Sequence, residues 1–365
     1  MMQYSEPDIT LIRARQHRFV QLLVNAQLPG ALITTPENVQ YLTGFRPVRH
    51  RPGALWIDAD GATTLAHAEG DVSGATVASM RTYVSNRAGT LVDHPVGEAI
   101  AALGSCFPQT GVCGADAFSL VGQRESVNLM QPLLSLRRTK DALDIRLIKE
   151  SIAGVQTIYE RIRAALRPGM TEVEVCAECH AAAVKFAGRP IGWLGNDFQS
   201  GTGGGLPRER AIEAGELMPL DLGFGANGYI ADMCRTFCVG GEPTPLQRRA
   251  HARVLEVFDL VLPQLRPGVS CAALHELAIA RLHDFEGLKF EHHLGHGIGL
   301  NAHEQPRVNR NWNDTLAAGD LITLEPGLYG QTINGGVRLE DIFLITDSGS
   351  EQLSAYPLDF VLAGS

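Results

Sequence analysis

The chain has 365 residues, of which 45% are hydrophobic, so it is long enough to form two domains that each bury a core. Its formal net charge is -9, without a long run of one sign, which argues against a nucleic-acid-binding surface because such surfaces are usually basic. No apolar stretch reaches the roughly 18 residues of a membrane-spanning helix, and the N-terminus lacks the apolar segment of a secretory signal. These features predict a cytoplasmic protein that binds neither nucleic acid nor membrane.

Seven cysteines at irregular spacings indicate reduced thiols rather than a disulfide framework. Two of them, Cys176 and Cys179, form a lone CAEC in a helical segment that Thr171 and Glu174 open as a capping box. No second cysteine pair follows at zinc-ribbon spacing. The pattern therefore favours small core residues on one helix face over a metal or redox site.

The N-terminal part of the chain alternates helical and strand-like segments, which predicts an α/β domain over residues 1–135. The remaining residues, 136–365, would form the second domain. The predicted elements are a helix over 6–27, a strand over 31–35, a proline-started helix at TPENVQYL, a hairpin around Asp60-Gly61 and a strand over 111–116.

One pattern occurs twice after a long predicted helix over residues 140–166. A helix ends at LRPGMT (166–171) or LRPGVS (265–270), a second helix follows, and a pair of strand-like runs with two acids comes next. The acids are Asp221 and Asp232 in the first pair, and Glu325 and Glu340 in the second. Self-similarity at about 100 residues predicts two structural halves around one centre.

The register of the first strand pair can be predicted from Asn227-Gly228, a strong hairpin-turn signal. With these two residues as the loop, Gly223 faces Asp232 and Asp221 points to the same face, so the two aspartates are diagonal neighbours. Two carboxylates on one buried face repel each other unless a proton or a cation lies between them. We expect the small Gly223 and Gly225 to leave space for a cation.

The second strand pair has a longer loop, so its register stays open, but Arg338 and Glu340 alternate onto one face. The segment HHLGHGIGLNAHE adds four histidines, and with His296 the acids make a set of four carboxylates and one imidazole. That set has too many acids for a closed structural zinc site. It suits two divalent metal ions per chain, Mn²⁺, Co²⁺ or Zn²⁺, bridged by carboxylates and water.

Four motifs in this order, DLGFGANGYIADMCRTF, HHLGHGIGLNAHEQP, ITLEPGLY and GGVRLED, resemble the pita-bread metallopeptidases: prolidase, aminopeptidase P and, more distantly, methionine aminopeptidase. TTPENVQYLTGF resembles the N-terminal domain that creatinase shares with prolidase and aminopeptidase P. The resemblance implies an α+β fold. Its C-terminal pita-bread catalytic domain would have pseudo-two-fold halves and follow the smaller α/β domain.

The resemblance also implies which residues bind metal. Asp221, Asp232, His296, Glu325 and Glu340 fall at the five ligand positions of the family. In similar enzymes Asp221 would bind one metal ion, His296 and Glu325 the other, and the remaining two acids would bridge them.

The implied reaction is metal-assisted hydrolysis, in which the metals acidify a water molecule and Glu325 passes its proton to the leaving amine. His292 and His303 fall where the family keeps substrate-contacting histidines, and His303 would also steady the oxyanion. Arg338 falls where an arginine supports a bridging carboxylate. His293 stands where a glycine is usual, and we expect it to pack against the site or to support a ligand.

One departure from the family lies in the loop before Asp221. The family usually has a histidine after a proline there, whereas this chain has three consecutive glycines and Arg208 after Pro207. An arginine cannot shuttle protons near neutral pH but can hold a carboxylate. We therefore expect Arg208 to contact a substrate carboxylate.

The resemblance implies hydrolysis of short peptides, with proline next to the cleaved bond. The alternative is a hydrolase or lyase of a small non-peptide metabolite on the same fold, which the missing histidine would fit. A non-enzymatic binding module is disfavoured because such relatives typically lose the metal ligands.

A basic stretch, GFRPVRHRPG (44–53), follows the family-like segment of the N-terminal domain. A solvated loop is the simple interpretation. Similar enzymes form two-fold dimers in which this domain approaches the partner's pocket. The resemblance therefore predicts a homodimer in which Arg46, Arg49 or Arg51 helps to bind substrate.

Overall fold

Two units divide the chain, residues 1–137 and 138–365. The computed structural model describes residues 5–48, 50–71, 74–108, 111–117 and 126–360. Within these ranges no helix is long and apolar enough to cross a membrane.

The first unit combines helices with a six-stranded mixed sheet in the order β4-β3-β2-β1-β7-β8. Its helices are α1 (Glu6–Asn25), α2 (Pro36–Thr43), α3 (Pro95–Ala102) and α4 (Met130–Arg138), with a 3-10 turn over Gly104–Cys106. Its strands are β1 (Gly30–Ile33), β2 (Ala54–Asp58), β3 (Thr63–Ala68), β4 (Ser79–Tyr83), β5 (Asn86–Arg87), β6 (Thr90–Leu91), β7 (Cys113–Ala115) and β8 (Ser126–Asn128). Strands β2 and β3 pair antiparallel on either side of Asp60-Gly61, as the sequence predicts.

The start of α2 is tied to the sheet rather than capped from within. Pro36 occupies the first turn, as expected, but the Thr35 side chain makes no cap hydrogen bond to the helix. Its hydroxyl donates instead to Asp116 Oδ2 at 2.6 Å, and the backbone N–H of Thr34 donates to Oδ1 at 2.9 Å. The buried Asp116 thus joins the residues that follow β7 to those that follow β1.

The second unit contains two helix pairs, each followed by strands. Its helices are α5 (Ala142–Ala165), α6 (Glu172–Ala187), α7 (Pro245–Val261) and α8 (Cys271–Leu282), with 3-10 turns over Leu262–Gln264 and Gln331–Ile333. Its strands are β9 (Leu217–Phe224), β10 (Ala231–Cys238), β11 (Gly295–Gly297), β12 (Glu304–Val308), β13 (Leu321–Leu324), β14 (Gly327–Gly330), β15 (Gly335–Arg338), β16 (Asp341–Ile345) and β17 (Ser350–Gln352). The predicted capping box of Thr171 and Glu174 begins α6. All seven cysteines are free thiols.

The first hairpin has the register that its turn predicts. Strands β9 and β10 pair antiparallel with Asp232 opposite Gly223, and Asp221 is opposite Cys234. Because side chains alternate between the faces of a sheet, Asp221 and Asp232 point to one face as diagonal neighbours.

The second hairpin is interrupted where its two acids lie. Leu324 pairs with Asp341 on one side of the interruption, and Gly327 pairs with Arg338 on the other. The register is the same on both sides, so Glu325 stands directly opposite Glu340. Proline at position 326 has no N–H for the ladder, which explains why the regular pairing stops there.

The core of the second half fixes this hairpin against its helices. Buried side chains of α7, α8 and the strands form one hydrophobic cluster, which includes Val254, Leu274, Ile322, Leu339 and Phe343. Strand β11, which carries His296, lies inside the sheet ordered β12-β11-β13-β16-β17. The histidine is therefore brought next to β13, which leads directly into Glu325.

Candidate metal centre

Two groups of potential metal ligands meet at the centre of the second unit. Asp232, His296 and Glu340 form one group, and Asp221, Glu325 and Glu340 form the other. Within each group the ligand atoms lie within 4.8 Å of one another. The structure thus brings the five predicted ligand residues together, and Glu340 belongs to both groups.

The chemistry of this donor set fits divalent cations. Asp232 Oδ1 and both carboxylate oxygens of Glu340 are buried and have no hydrogen-bond partner among the described residues. Burial raises the pKa of both acids well above the usual carboxyl range, and the neighbouring carboxylates raise the pKa further. Buried carboxylates without donors require a proton or a cation, and these residues offer oxygen and nitrogen ligands to the latter.

Glu325 has a different environment because histidines surround it. His293 Nε2 is 2.7 Å from Glu325 Oε1, and His296 Nε2 is 3.5 Å from the same oxygen. Burial alone would raise the pKa of Glu325, but the hydrogen bond from His293 and the nearby imidazoles lower it to about 2. Glu325 therefore remains a carboxylate while its neighbours Asp232 and Glu340 favour the protonated form.

The remaining histidines lie beside the acids on the Glu325 side. His303 is exposed, and its ring stacks on that of His296 with 3.8 Å between centroids and 12° between planes. The ligand nitrogens of His293, His296 and His303 also lie within 4.8 Å of one another. The sequence predicted that His293 either packs against the site or supports a ligand. In the structure it contacts Glu325, a candidate ligand.

Tyr329 connects His292 to Arg338, a contact that the sequence did not predict. Arg338 Nη1 donates to the Tyr329 hydroxyl at 3.1 Å, and that hydroxyl lies 2.8 Å from His292 Nε2. Burial lowers the pKa of His292 to about 4, so its neutral ring accepts a hydrogen bond from Tyr329. His292 is therefore held by the chain itself, whereas His303 is the exposed member of the predicted pair.

Arg338 supports a different carboxylate from the one expected. Its Nη2 lies 2.8 Å from Asp221 Oδ2 and also forms an ion pair with Asp197. The expectation that Arg338 supports a bridging carboxylate is wrong in this respect, because the structure pairs it with Asp221. The reason is geometric: β15 ends at Arg338 beside β9, whereas Glu340 lies beyond the interruption of the hairpin.

Asp197 is a site residue that sequence reasoning missed. It lies in residues 193–197, which we call the edge segment, and its carbonyl accepts a hydrogen bond from Asp221 N at 3.3 Å. Its Oδ1 accepts a hydrogen bond from Gly205 N at 2.6 Å. Gly204 has φ +134, and a β-carbon there would lie within 2.7 Å of the Asp197 carboxylate. Gly204 therefore makes room for this extra acid, and the run of three glycines was its only signal in the sequence.

Trp193, in the same edge segment, was also missed. A β-carbon at position 223 would lie 1.9 Å from Trp193 Cζ3 and 2.1 Å from Cη2, so the indole covers Gly223. The expectation that Gly223 leaves space for a cation is wrong, because an aromatic ring fills that space. Trp193 thus lies on the face of the sheet that carries Asp221 and Asp232.

Arg208 is bound to a carboxylate of the chain itself. Its Nε and Nη2 donate to the two oxygens of Glu172 at 2.9 and 2.5 Å, and Nη2 also donates to Ser200 O. The Glu172 side chain has no exposed surface, whereas that of Arg208 is 39% exposed. This fork joins the start of α6 to the glycine-rich loop, which favours a structural role over the expected contact with substrate.

The basic residues of the N-terminal unit occupy different environments. Arg46 is exposed, and Arg49 lies outside the described residues. Arg51 Nη1 is 2.9 Å from Asp71 Oδ1, an ion pair within the same unit.

Fold and site together define a metal-dependent hydrolase: two helix-and-hairpin halves converge on a buried cluster of acids and histidine. The chain belongs to the metallopeptidase family M24, which matches residues 146–347, and the creatinase/prolidase N-terminal domain matches residues 15–121. The predicted fold class, an α+β pita-bread catalytic domain after a smaller α/β domain, is confirmed by this membership and by the solved structures that the chain resembles.

Relatives support the same assignment over nearly the whole chain. The Xaa-Pro dipeptidase of Pyrococcus furiosus is 28% identical over 360 residues, which cover 94% of this chain and 98% of that protein. The crystal structure of dipeptidase PepE from Mycobacterium ulcerans matches 99% of this chain and 100% of its own, with 25% identity and a TM-score of 0.76. The prolidase from Pyrococcus horikoshii OT3 has a similar fold, with 24% identity, a TM-score of 0.78 and coverage of 95% and 99%.

Proposed function

We propose that this metallopeptidase carries two divalent metal ions per chain and hydrolyses short peptides at Xaa-Pro bonds. The observation that carries the proposal is the convergence of Asp232 and Glu340, with their unpartnered oxygens, on His296, Asp221 and Glu325. Glu340 belongs to both ligand groups, as a bridging carboxylate would. Asp232 is proposed as the second bridge, by its resemblance to the family position.

The charge of the site supports a pair of cations. Five carboxylates, those of Asp197, Asp221, Asp232, Glu325 and Glu340, surround one guanidinium, that of Arg338. If all five are ionised and His293 is neutral, the formal excess of negative charge equals the charge of two divalent ions. Burial lowers the pKa of His296 to about 4, so its ring is a neutral nitrogen ligand and adds no charge. Manganese, cobalt and zinc all accept such a mixture of oxygen and nitrogen ligands.

Metal ions in such a site supply a water molecule acidic enough to act as a nucleophile near neutral pH. Glu325 is the proposed base that takes up its proton and passes it to the leaving amine, because its histidine contacts keep it ionised and therefore able to accept a proton, whereas burial raises the pKa of Asp221, Asp232 and Glu340. His303, exposed beside His296, is the proposed donor to the developing oxyanion. Arg338 and Tyr329 hold Asp221 and His292 in place.

Metal analysis of purified variants tests the dinuclear centre. Wild-type protein loaded with Mn²⁺ or Co²⁺ should hold two ions per chain after dialysis, whereas Glu340→Ala should lose both. Asp232→Ala should also lower occupancy at both positions if it bridges. Asp347→Ala, at an exposed acid, is the matched control and should keep full occupancy. Full occupancy in Glu340→Ala would contradict the shared-ligand assignment.

A substrate panel tests the activity. Metal-loaded enzyme should cleave Xaa-Pro dipeptides or tripeptides, and a chelator should abolish the reaction.

The second candidate, a hydrolase or lyase of a small non-peptide metabolite, is favoured by one observation: the family histidine is missing and Arg208, in its place, is bound to Glu172. Turnover of a betaine-like metabolite with every Xaa-Pro peptide left intact would establish that alternative.

A further inference from the structure

We propose that Trp193 is a specificity-determining residue, whose indole packs against an apolar side chain next to the cleaved peptide bond. This inference rests on the proposed peptidase function and deepens it. No pattern in the sequence pointed to Trp193, whose ring is brought to the site by the edge segment.

The edge segment lies against strand β9. The backbone of Asp197 forms an isolated antiparallel bridge with Asp221, so the segment lies on the edge of β9 that does not pair with β10. Gly195 has φ +90, and a β-carbon there would lie 2.1 Å from Asp221 O. The segment can therefore approach β9 this closely only with glycine at that position.

The Trp193 ring lies over strand β9. The six-membered part of the indole lies over Gly223, whose strand partner is Asp232. Gly223 shares a face with Asp221 because the two are separated by two positions on one strand. The indole therefore lies on the face of the sheet that carries both aspartates. Its Nε1 donates to Asn196 Oδ1 at 3.3 Å, and Asn196 is exposed, so the polar edge of the ring is directed towards solvent.

Trp193 differs in chemistry from the other groups at the site. The acids are polar, and so are the rings of His292, His293 and His303. Trp193 is only partly buried and supplies a large aromatic surface next to the ligand carboxylates. A peptide whose cleaved carbonyl lies at the metal centre must place a neighbouring side chain beside it. An aliphatic side chain or a pyrrolidine ring gains free energy by covering an indole, whereas glycine has nothing to place there.

Fluorescence tests the placement of the ring without any use of activity. The chain has three tryptophans, and bound Co²⁺ quenches indole emission only at short range. Titration of metal-free protein with Co²⁺ should quench the emission of wild-type protein and of Trp312→Phe, whose indole is 44% exposed in the native chain. Trp193→Phe should lose this quench. Retention of the full quench in Trp193→Phe would overturn the placement.

Kinetics test the specificity. The substrates are Gly-Pro, Ala-Pro, Leu-Pro, Phe-Pro and Leu-Ala. Trp193→Ala should lower kcat/KM by about 10- to 100-fold for the peptides that have a bulky side chain on the side of the cleaved bond that contacts Trp193. Substrates with a small residue at that position should change little, and Trp193→Phe should be intermediate. An equal loss for every peptide would overturn the specificity assignment and leave only a structural role.

A binding measurement separates this inference from the proposed function. If the wild-type enzyme cleaves no peptide, the proposed activity fails, but the indole can still be probed with L-leucine and glycine. Added to the Co²⁺-loaded protein, L-leucine should change the remaining Trp193 emission and glycine should not. An equal change in emission with both amino acids, or no change with either, would overturn the apolar subsite.

Discussion

The imidazole of His293 and the carboxylate of Glu325 are joined by a hydrogen bond of 2.7 Å between Nε2 and Oε1. Burial opposes a charge on the histidine, but this bond outweighs it and raises the pKa of His293. An imidazole that donates to a ligand carboxylate orients that carboxylate, and such supporting contacts commonly affect metal affinity.

His293→Ala should therefore weaken metal binding by about 10- to 100-fold, the usual effect of losing a supporting hydrogen bond to a ligand. Competition with a chromophoric chelator measures the affinity directly. His283→Ala removes an exposed histidine and serves as the control. An unchanged affinity in His293→Ala would assign this residue to packing.

Metal binding should release protons and become tighter as pH rises. In the metal-free protein the pKa values of Asp232 and Glu340 are raised by burial and then by mutual repulsion, so each carboxyl retains its proton above the usual range. A cation needs the deprotonated oxygens and must displace those protons. Calorimetry in phosphate and in Tris, whose protonation enthalpies differ, should give different apparent heats. Identical heats in both buffers would contradict the raised pKa values.

Arg208→Ala should destabilise the protein because it leaves the buried Glu172 carboxylate without its fork. After allowance for the exposure of Arg208, we expect a loss of about 2–3 kcal/mol in the free energy of unfolding. Burial raises the pKa of Glu172, but the bonds from Arg208 and Ser200 lower it below the usual 4.5. The stabilisation is therefore present above that pH and is lost as pH falls below it.

Urea denaturation at neutral pH and near pH 4 measures this difference, which should shrink in acid. Arg310→Ala is the control, because its side chain is 57% exposed and its Nη1 lies 3.9 Å from Glu276 Oε1. A lower affinity for substrate with unchanged stability would instead restore the role that the sequence suggested for Arg208.

The proposed homodimer predicts that chains complement one another. Arg49→Ala and Glu325→Ala homodimers should each be impaired, but mixing and re-forming dimers should recover activity. The mixed dimer would hold one pocket with an intact metal centre and an intact arginine from the other chain. No recovery, or a monomer by light scattering, would refute the arrangement. Arg46→Ala, at an exposed position, can replace Arg49→Ala in the same experiment.

Local chemistry made the first hairpin predictable. Asn227-Gly228 predicted the register, and the alternation of side chains then placed Asp221 and Asp232 on one face, as the structure confirms. The connection is wider than the predicted two-residue turn, because the paired strands end at Phe224 and begin again at Ala231. The second hairpin was open to several registers because its loop is long and proline interrupts its ladder. The direct opposition of Glu325 and Glu340 depends on pairings on both sides of that interruption.

Residues of the edge segment were not predictable in the same way. Trp193 and Asp197 lie outside regular strands, and tertiary packing alone brings them to β9. Glycine was ambiguous as a signal, because a missing β-carbon can admit a cation, a neighbouring ring or a carboxylate. At position 223 it admits an indole, and at position 204 it admits Asp197.

Glu340 lies in both ligand groups, so the two proposed metal positions cannot be thermodynamically independent. A first cation would restrain this side chain and remove its proton, which lowers the cost of binding a second. The same cation would repel the second electrostatically and draw electron density from the shared carboxylate. The balance of these opposing effects sets the cooperativity of loading, and with it the range of free metal concentrations over which half-loaded protein persists.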